Sequence, residues 1–309
     1  MRIGMHRILV GLDGSPLAET ILDPVRALAR HLGAEIVLLH VTHVPEMIRT
    51  AQSGPTLDEI VVQERERAQA YLEGVARRLR ESGVSVRTAV SAGEAAVVIV
   101  RYADRERMDL IALATHGRSG LQRWLYGSVA DAVLHTTKTP LLLLRPAAGG
   151  AAASPAPRRL VVPLDGSALA EAALPMAEEL ARSLGAPILL LRAVEVTDFA
   201  FGAEPFGSPY VNYQRIFDIL RDEGKEYLHR LAVSLREKGL TVETRACIGM
   251  PVDTIIARAG EQPGSVVVMS THGRSGWRAA VLGSVARRVV LLANAPVLVV
   301  RPAEAVGRG

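Results

Sequence analysis

A single pattern, written twice, limits what this chain can fold into. Residues 115–130 run Thr-His-Gly-Arg-Ser-Gly, six further residues, then Gly-Ser-Val-Ala, and residues 271–286 repeat this with the glycines at the same spacing. Each copy follows a short apolar run, Leu110 to Ala114 in one and Val266 to Met269 in the other, and precedes an apolar stretch with helical spacing. Strand, glycine loop, helix is the local reading. Glycine admits positive φ and lets a ligand approach the backbone, while a helix N-terminus offers N–H groups and partial positive charge to an anion. Such a stretch suits a phosphate.

The repeat extends over the whole chain. Arg7-Ile-Leu-Val-Gly-Leu-Asp-Gly-Ser15 matches Arg159-Leu-Val-Val-Pro-Leu-Asp-Gly-Ser167, and Leu32-Gly33-Ala34 matches Leu184-Gly185-Ala186 at the same offset. The offset then lengthens by four residues, pairing Gly93 with Gly249, Gly117 with Gly273 and Pro140 with Pro296. Two copies of one domain with one small insertion account for this. They are expected at residues 1–146 and 158–303, joined by a linker at 147–157 that is rich in Ala, Gly and Pro and lacks apolar periodicity.

Within the first copy, Ile8 to Leu12 is a continuous apolar run, as in a strand buried on both faces. Ser15-Pro16 reads as an N-cap and first helical residue, with the helix running to about His31 before Gly33 closes it. Further strands are expected at Ile36–Val41, Val84–Val90, Asp109–Ala114 and Leu141–Leu144, and helices at Leu57–Ser82, Glu94–Asp104 and Gly127–Thr136. Strands alternating with helices predict an α/β fold: a parallel sheet with right-handed crossovers and helices on both faces. Ligands of such sheets sit beyond the carboxyl ends of the strands, where strand order reverses. If strands one and four are neighbours there, Asp13 and Gly117 reach one crevice.

Composition narrows the function. With 49% of its residues hydrophobic, the 309-residue chain can bury a core in each half. Its formal charge of +4 comes almost entirely from arginines interspersed with glutamates, which is not the like-charge patch of a nucleic-acid-binding protein. Cys247, the only cysteine, cannot form an internal disulfide, no Cys/His group has metal-ligand spacing, and no apolar run is long enough to span a membrane or serve as a signal core. A cytoplasmic location is expected.

The set Gly11, Asp13, Ser15, Gly117, Gly127, Ser128, with Asp165, Ser167, Gly273, Gly283 and Ser284 in the second half, resembles the universal stress protein family in tandem form. The resemblance covers both halves and implies two doubly wound domains, each a five-stranded parallel sheet in the order 3-2-1-4-5. In the nucleotide-binding branch of that family a Gly-x2-Gly-x9-Gly-Ser/Thr loop holds ATP. Carried over by position, Asp13 and Asp165 would accept from the adenine amino group, with Gly11 and Pro163 beside them. Val41 and Ala193 would touch the base through their backbone. Gly117, Gly127, Ser128, Val129, Gly273, Gly283, Ser284 and Val285 would face ribose and phosphates. The first glycine of the motif is Ala114 in one half and Ser270 in the other, each adding a Cβ where close approach is wanted.

Plainer readings stand beside these. Asp13 and Asp165 also suit a turn before a helix, and Ser128 and Ser284 suit a helix cap. His116 and His272 suit a phosphate contact or a structural hydrogen bond, and Arg118 and Arg274 an ion pair with phosphate or mere solvation. Trp124 and Trp277 read as packing anchors. The segment 195–215 concentrates Phe199, Phe201, Phe206, Tyr210 and Tyr213 as a lid, a partner surface or a packing loop.

The loop is not a Walker sequence, no lysine lies near the expected phosphates, and no carboxylate recurs in both loops to orient a hydrolytic water. The nucleophile candidate Cys247 is matched by Ser91 in the first half. The expectation is therefore a stress-response module that binds ATP with Mg2+ and regulates a protein partner, with slow hydrolysis at most. The alternative is a scaffold that keeps the fold and binds no nucleotide. The apolar fifth strands would pair the halves as an internal pseudo-dimer or a homodimer.

Overall fold

The computed structural model describes residues 4–42, 57–115, 127–145, 157–195, 213–271 and 283–302. The chain divides into two units, Met1–Ala156 and Pro157–Gly309.

In the first unit, β1 (Arg7–Gly11) carries a fully buried Ile8-Leu9-Val10 core. The helix expected to run from Pro16 to His31 is broken into α1 (Pro16–Glu19) and α2 (Leu22–Leu32). Pro24 has no N–H to offer the Thr20 carbonyl, and in an unbroken helix its ring would clash with that carbonyl, so the ladder does not pass through this point. Gly33 then ends α2 in the left-handed region at φ 65°. Strand β2 is Glu35–Thr42, and α3 (Leu57–Glu81) buries Ala68, Leu72, Val75, Ala76 and Leu79, one stripe at helical spacing. Strand β3 (Val86–Ala92) starts two residues later than expected, because Gly83 at φ 81° ends the turn and Val84 and Ser85 lead into the sheet. Helix α4 (Ala95–Arg105) is capped by Glu94, whose carboxylate accepts from Ala96 N and Val97 N at 3.2 and 2.9 Å. Strand β4 (Leu110–Ala114), α5 (Ser128–Thr136) and β5 (Leu141–Leu144) complete the unit.

The second unit repeats it as β6 (Arg159–Pro163), α6 (Ala168–Glu171), α7 (Leu174–Leu184), β7 (Ile188–Val194), α8 (Tyr213–Glu237), β8 (Val242–Ile248), α9 (Pro251–Gly260), β9 (Ser265–Ser270), α10 (Ser284–Leu292) and β10 (Val297–Val300). Pro175 stands beside the break between α6 and α7, as Pro24 does in the first unit.

Every strand pairing described within a unit is parallel. The order is β3-β2-β1-β4-β5 in the first unit and, in the same sense, β8-β7-β6-β9-β10 in the second. Helices α3 and α1 meet where Glu19 accepts from Tyr71, while α4 packs against α5. Strands covered on both faces have to be apolar throughout, which explains the continuous runs: Ile36, Leu38, Leu110, Ile111, Leu141 and Leu160 are all sealed. Each such side chain contributes on the order of 1.5–3 kcal/mol. Among the described residues, no helix is long and apolar enough to cross a membrane.

Candidate functional site

Strand order reverses between β1 and β4, and between β6 and β9, because the chain winds outward in one direction from each first strand and resumes on its other side. A crevice therefore opens beyond the carboxyl ends of these neighbours.

The first wall is the turn after β6. Leu164 N still donates to Leu191 O at 2.8 Å, and the chain then leaves the sheet at Asp165. Asp165 Oδ1 accepts from Ser167 N at 2.9 Å and Ser167 Oγ at 2.6 Å, while Ser167 Oγ accepts from Ala170 N at 3.1 Å and so caps α6. The first unit builds the same turn: Ser15 N donates to Asp13 Oδ1 at 2.9 Å and Ala18 N to Ser15 Oγ at 3.1 Å. Gly14 and Gly166 supply the left-handed residue, at φ 83° and 88°. Both aspartates thus make the turn that the plainer reading required, through one carboxylate oxygen.

The second wall is the edge left behind when β6 turns away. Backbone groups of a strand alternate between its two neighbours. Leu191 O faces β6, where it receives Leu164 N, and Val194 O faces β8, where it receives Gly249 N. Ala193 N–H and C=O therefore face the space β6 has vacated. The same alternation, from Leu12 N to Leu39 O and from Gly93 N to Thr42 O, turns the backbone of Val41 toward the crevice of the first unit.

The third wall comes from β9 and α10. Thr271 N donates to Val300 O at 2.9 Å, and Gly283 N donates back to Thr271 O at 2.8 Å, so that the chain returns to the point where it left the sheet. Thr115 and Gly127 do the same in the first unit, at 2.6 Å. The cap positions are Gly127 and Gly283, and neither makes a side-chain cap bond. Ser128 and Ser284 are therefore the first helical residues rather than caps, and both are exposed. Each helix presents its first N–H groups and its positive dipole end without a capping oxygen from the cap residue.

In the second unit these walls enclose a cleft of about 420 Å³. Pro163 and Asp165 from β6 and its turn, Ala193 from β7, Ser270 from β9, and Gly283, Ser284 and Val285 at the start of α10 all line it. Gly11, Asp13, Val41, Ala114, Gly127, Ser128 and Val129 hold the matching frame positions in the first unit. A Cβ at Gly11 would meet Leu113 Cδ2 at 2.5 Å, so that glycine has a packing reason of its own. His116, Gly117, Arg118, His272, Gly273 and Arg274, both tryptophans and the aromatic segment from 196 to 212 lie outside the described residues. No group of three His, Cys, Asp or Glu suited to a metal ion occurs among the described residues.

The profile of the universal stress protein family matches residues 4–145 and again 157–301. The chain belongs to the universal stress protein family. A family member from Mycolicibacterium smegmatis is 25% identical over 305 residues, with 96% of this chain and 97% of that protein covered. Another, from Methanocaldococcus jannaschii, is 32% identical over 144 residues, covering 47% of this chain and 82% of its own. The crystal structure of a universal stress protein from Archaeoglobus fulgidus superposes with a TM-score of 0.70 at 20% identity, covering 97% of this chain and 99% of that one, which shows a shared fold.

In this tandem universal stress protein, the structure adds cleft residues that sequence reasoning passed over. Leu191, Ile255 and Met269 supply apolar lining, and Arg192 adds a cation. Behind the turn, Tyr227 Oη donates to Glu171 Oε1 at 2.8 Å with the Arg192 guanidinium 5.0 Å from its ring centroid. Burial, then the Glu171 hydrogen bond and charge, push the Tyr227 hydroxyl well above the ordinary tyrosine value; Arg192 acts in the opposite direction. In the first unit Tyr71 donates to Glu19 at 3.0 Å, Arg78 pairs with the other oxygen of Glu19 at 2.6 Å, and His40 meets the Tyr71 ring edge-on at 6.1 Å. Tyr71 is pushed up by burial and then by Glu19 in the same way. The signal for Arg192 was a single charge inside the apolar run Ile188 to Val194, at the position where the first copy carries His40.

Proposed function

We propose that this universal stress protein binds a purine nucleotide, ATP with Mg2+ in the first instance, in the crevice of each half and acts as a regulatory binding module. One observation carries the reading: residues from four separate segments of the second unit, matching the repeated motif, line a single cleft at the carboxyl ends of the strands. Its volume of about 420 Å³ suits a small organic ligand, for which pockets run about 300–1,000 Å³. The donor set fits as well. The uncapped start of α10 suits a phosphate, the Asp165 carboxylate suits an exocyclic amino group, and the backbone of Ala193 offers a donor and an acceptor to a base edge. Magnesium would be held chiefly by the phosphates, the usual arrangement for this ion.

Binding is better supported than turnover. Hydrolysis requires a group that orients a water on the γ-phosphate, and Gly127–Val129 and Gly283–Val285 carry no carboxylate. The competing reading, a scaffold that keeps the fold and binds no nucleotide, is favoured by Ala114 and Ser270, which put a Cβ at the mouth of the glycine loop. Isothermal titration of desalted protein with Mg·ATP, beside an Asp13→Ala, Asp165→Ala double variant, separates the two. Saturable binding lost in the variant supports the nucleotide module. Absence of heat, with no adenine absorbance in the protein as purified, leaves the scaffold.

A further inference from the structure

Arg192 occupies a seat built for it. Its guanidinium carbon lies 5.0 Å from the Tyr227 ring centroid, within the range of a cation–π contact. A Cβ at Gly166 would meet Arg192 Nη1 at 2.5 Å, and a Cβ at Gly224 would meet Arg192 Cδ at 3.3 Å. The matching first-unit positions carry His40 and Ala68, so the larger side chain on the strand goes with a smaller residue on the long helix. Arg192 and Asp165 both line the cleft, and one guanidinium nitrogen lies over Gly166, the residue next to Asp165. Glu195, three residues along the chain, lines the same cleft. A permanently charged fork of donors and an acceptor-only carboxylate thus line the same cleft, with the fork over the residue that follows the carboxylate.

That juxtaposition alters what a base edge must present. A carboxylate alone selects an edge that carries a donor, such as the amino group of adenine. A carboxylate with a guanidinium beside it selects an edge that carries donors next to a strong acceptor. Guanine presents O6 beside N1–H and its amino group, so Arg192 could donate to O6 while Asp165 accepts from two N–H groups. Adenine answers Asp165 with its amino group but turns only a ring nitrogen toward Arg192.

We propose that Arg192 sets the base specificity of the second cleft, which takes an oxo-purine nucleotide of the guanine type in preference to ATP, while the first cleft, with His40 in that place, takes the amino-purine. The proposal rests on reading both clefts as nucleotide sites. It is tested by titrating the full chain with Mg·GTP and Mg·ATP. In Asp13→Ala, which leaves the second cleft, GTP binds about tenfold more tightly than ATP, a modest value for one bidentate base contact. In Asp165→Ala, which leaves the first, ATP is favoured. Adding Arg192→His to Asp13→Ala removes the preference for GTP. Arg192→Met, which keeps an unbranched stem in the seat but has neither charge nor donor, also removes it, and guards against misreading a misfolded variant. Equal or tighter ATP binding in Asp13→Ala, or a GTP-to-ATP ratio untouched by both Arg192 variants, overturns the specificity while leaving nucleotide binding intact. Failure of the unaltered chain to bind either nucleotide overturns both.

Discussion

Replacing the serine two residues after Asp13 or Asp165 should cost the two halves different amounts. In the first unit, Ser15→Ala removes one interaction, the bond from Ala18 N to Ser15 Oγ at 3.1 Å, and a lost N-cap costs about 1 kcal/mol. In the second unit, Ser167→Ala removes the equivalent cap at 3.1 Å and also the 2.6 Å bond that Ser167 Oγ donates to the Asp165 carboxylate. A hydrogen bond to a charged group contributes about 1.5–3 kcal/mol, and the lower figure applies because Asp165 keeps the Ser167 N–H. The expected costs are therefore about 1 kcal/mol for Ser15→Ala and about 2.5 kcal/mol for Ser167→Ala. Amide exchange reads this locally through Glu19 N and Glu171 N, which bond the serine carbonyls at 3.3 and 3.2 Å and report opening of the first helical turn. Exchange at Glu19 should accelerate roughly fivefold, and at Glu171 between about tenfold and a hundredfold. Equal acceleration in the two halves would refute the assignment of the extra stabilisation to the serine–carboxylate bond. No acceleration in either would refute the capping argument itself.

Three further outcomes can be checked. Gly11→Ala drives a methyl to 2.5 Å from Cδ2 of the buried Leu113, and should cost about 1–3 kcal/mol in urea unfolding, partly restored by Leu113→Ala. Leu72→Ala and Leu228→Ala, at fully buried positions on the long helices, should each cost about 2–5 kcal/mol by the same measurement. Tyr71 and Tyr227 have folded values raised above the unfolded value of about 10 by burial and by Glu19 and Glu171. Their contribution is thus complete below about pH 10 and is lost as pH climbs from there toward the raised folded value. The urea midpoint should fall between pH 9 and pH 11, and fall less in a Tyr71→Phe, Tyr227→Phe variant.

Much of this fold is legible because two-sided burial leaves little choice of residue. Ile8 to Val10, Leu110 to Ala114 and Leu141 to Leu144 are uninterrupted apolar runs bounded by polar, glycine or proline positions, and all form strands. The helix break at Thr20 and Ile21 is hidden in the sequence because the periodicity of apolar residues continues across it; the backbone consequence of Pro24 outweighs the pattern. The sequence pattern extends the helix to Glu94, whose carboxylate instead reaches forward to two amides as a cap. In the cleft, the aspartates and the Gly-Ser pairs are visible through the repeat, since spacing survives a comparison of the two halves. Arg192 is visible only as a difference between them, and its meaning depends on Gly166, Gly224 and Tyr227, which converge on it from distant segments.

The two ends of the sheet have diverged unequally. At the end where strands enter, Asp109 accepts from His6 N and Arg7 N at 2.8 and 2.9 Å, and Arg7 lies 3.9 Å from Glu35 and donates to the Glu106 carbonyl. The second unit has Pro187, Gln262 and Ser265 in place of these three acids, and Arg159, now buried, bonds Ser265 Oγ at 3.3 Å and the Arg258 carbonyl. An exposed ion pair contributes about 0–1 kcal/mol, so exchanging one for neutral partners is inexpensive. At the end where strands leave, Asp13 and Asp165, Ser15 and Ser167, and both Gly-Ser pairs are identical between halves. Turn formation does not demand this, because an asparagine offers the same Oδ1 acceptor and tolerates the same backbone. Identity at the partly exposed aspartates, beside wholesale exchange of the acids at the opposite end, is what a requirement for a charged acceptor in the crevice would produce, and in the second unit the bond from Ser167 Oγ gives that charge a stabilising role as well.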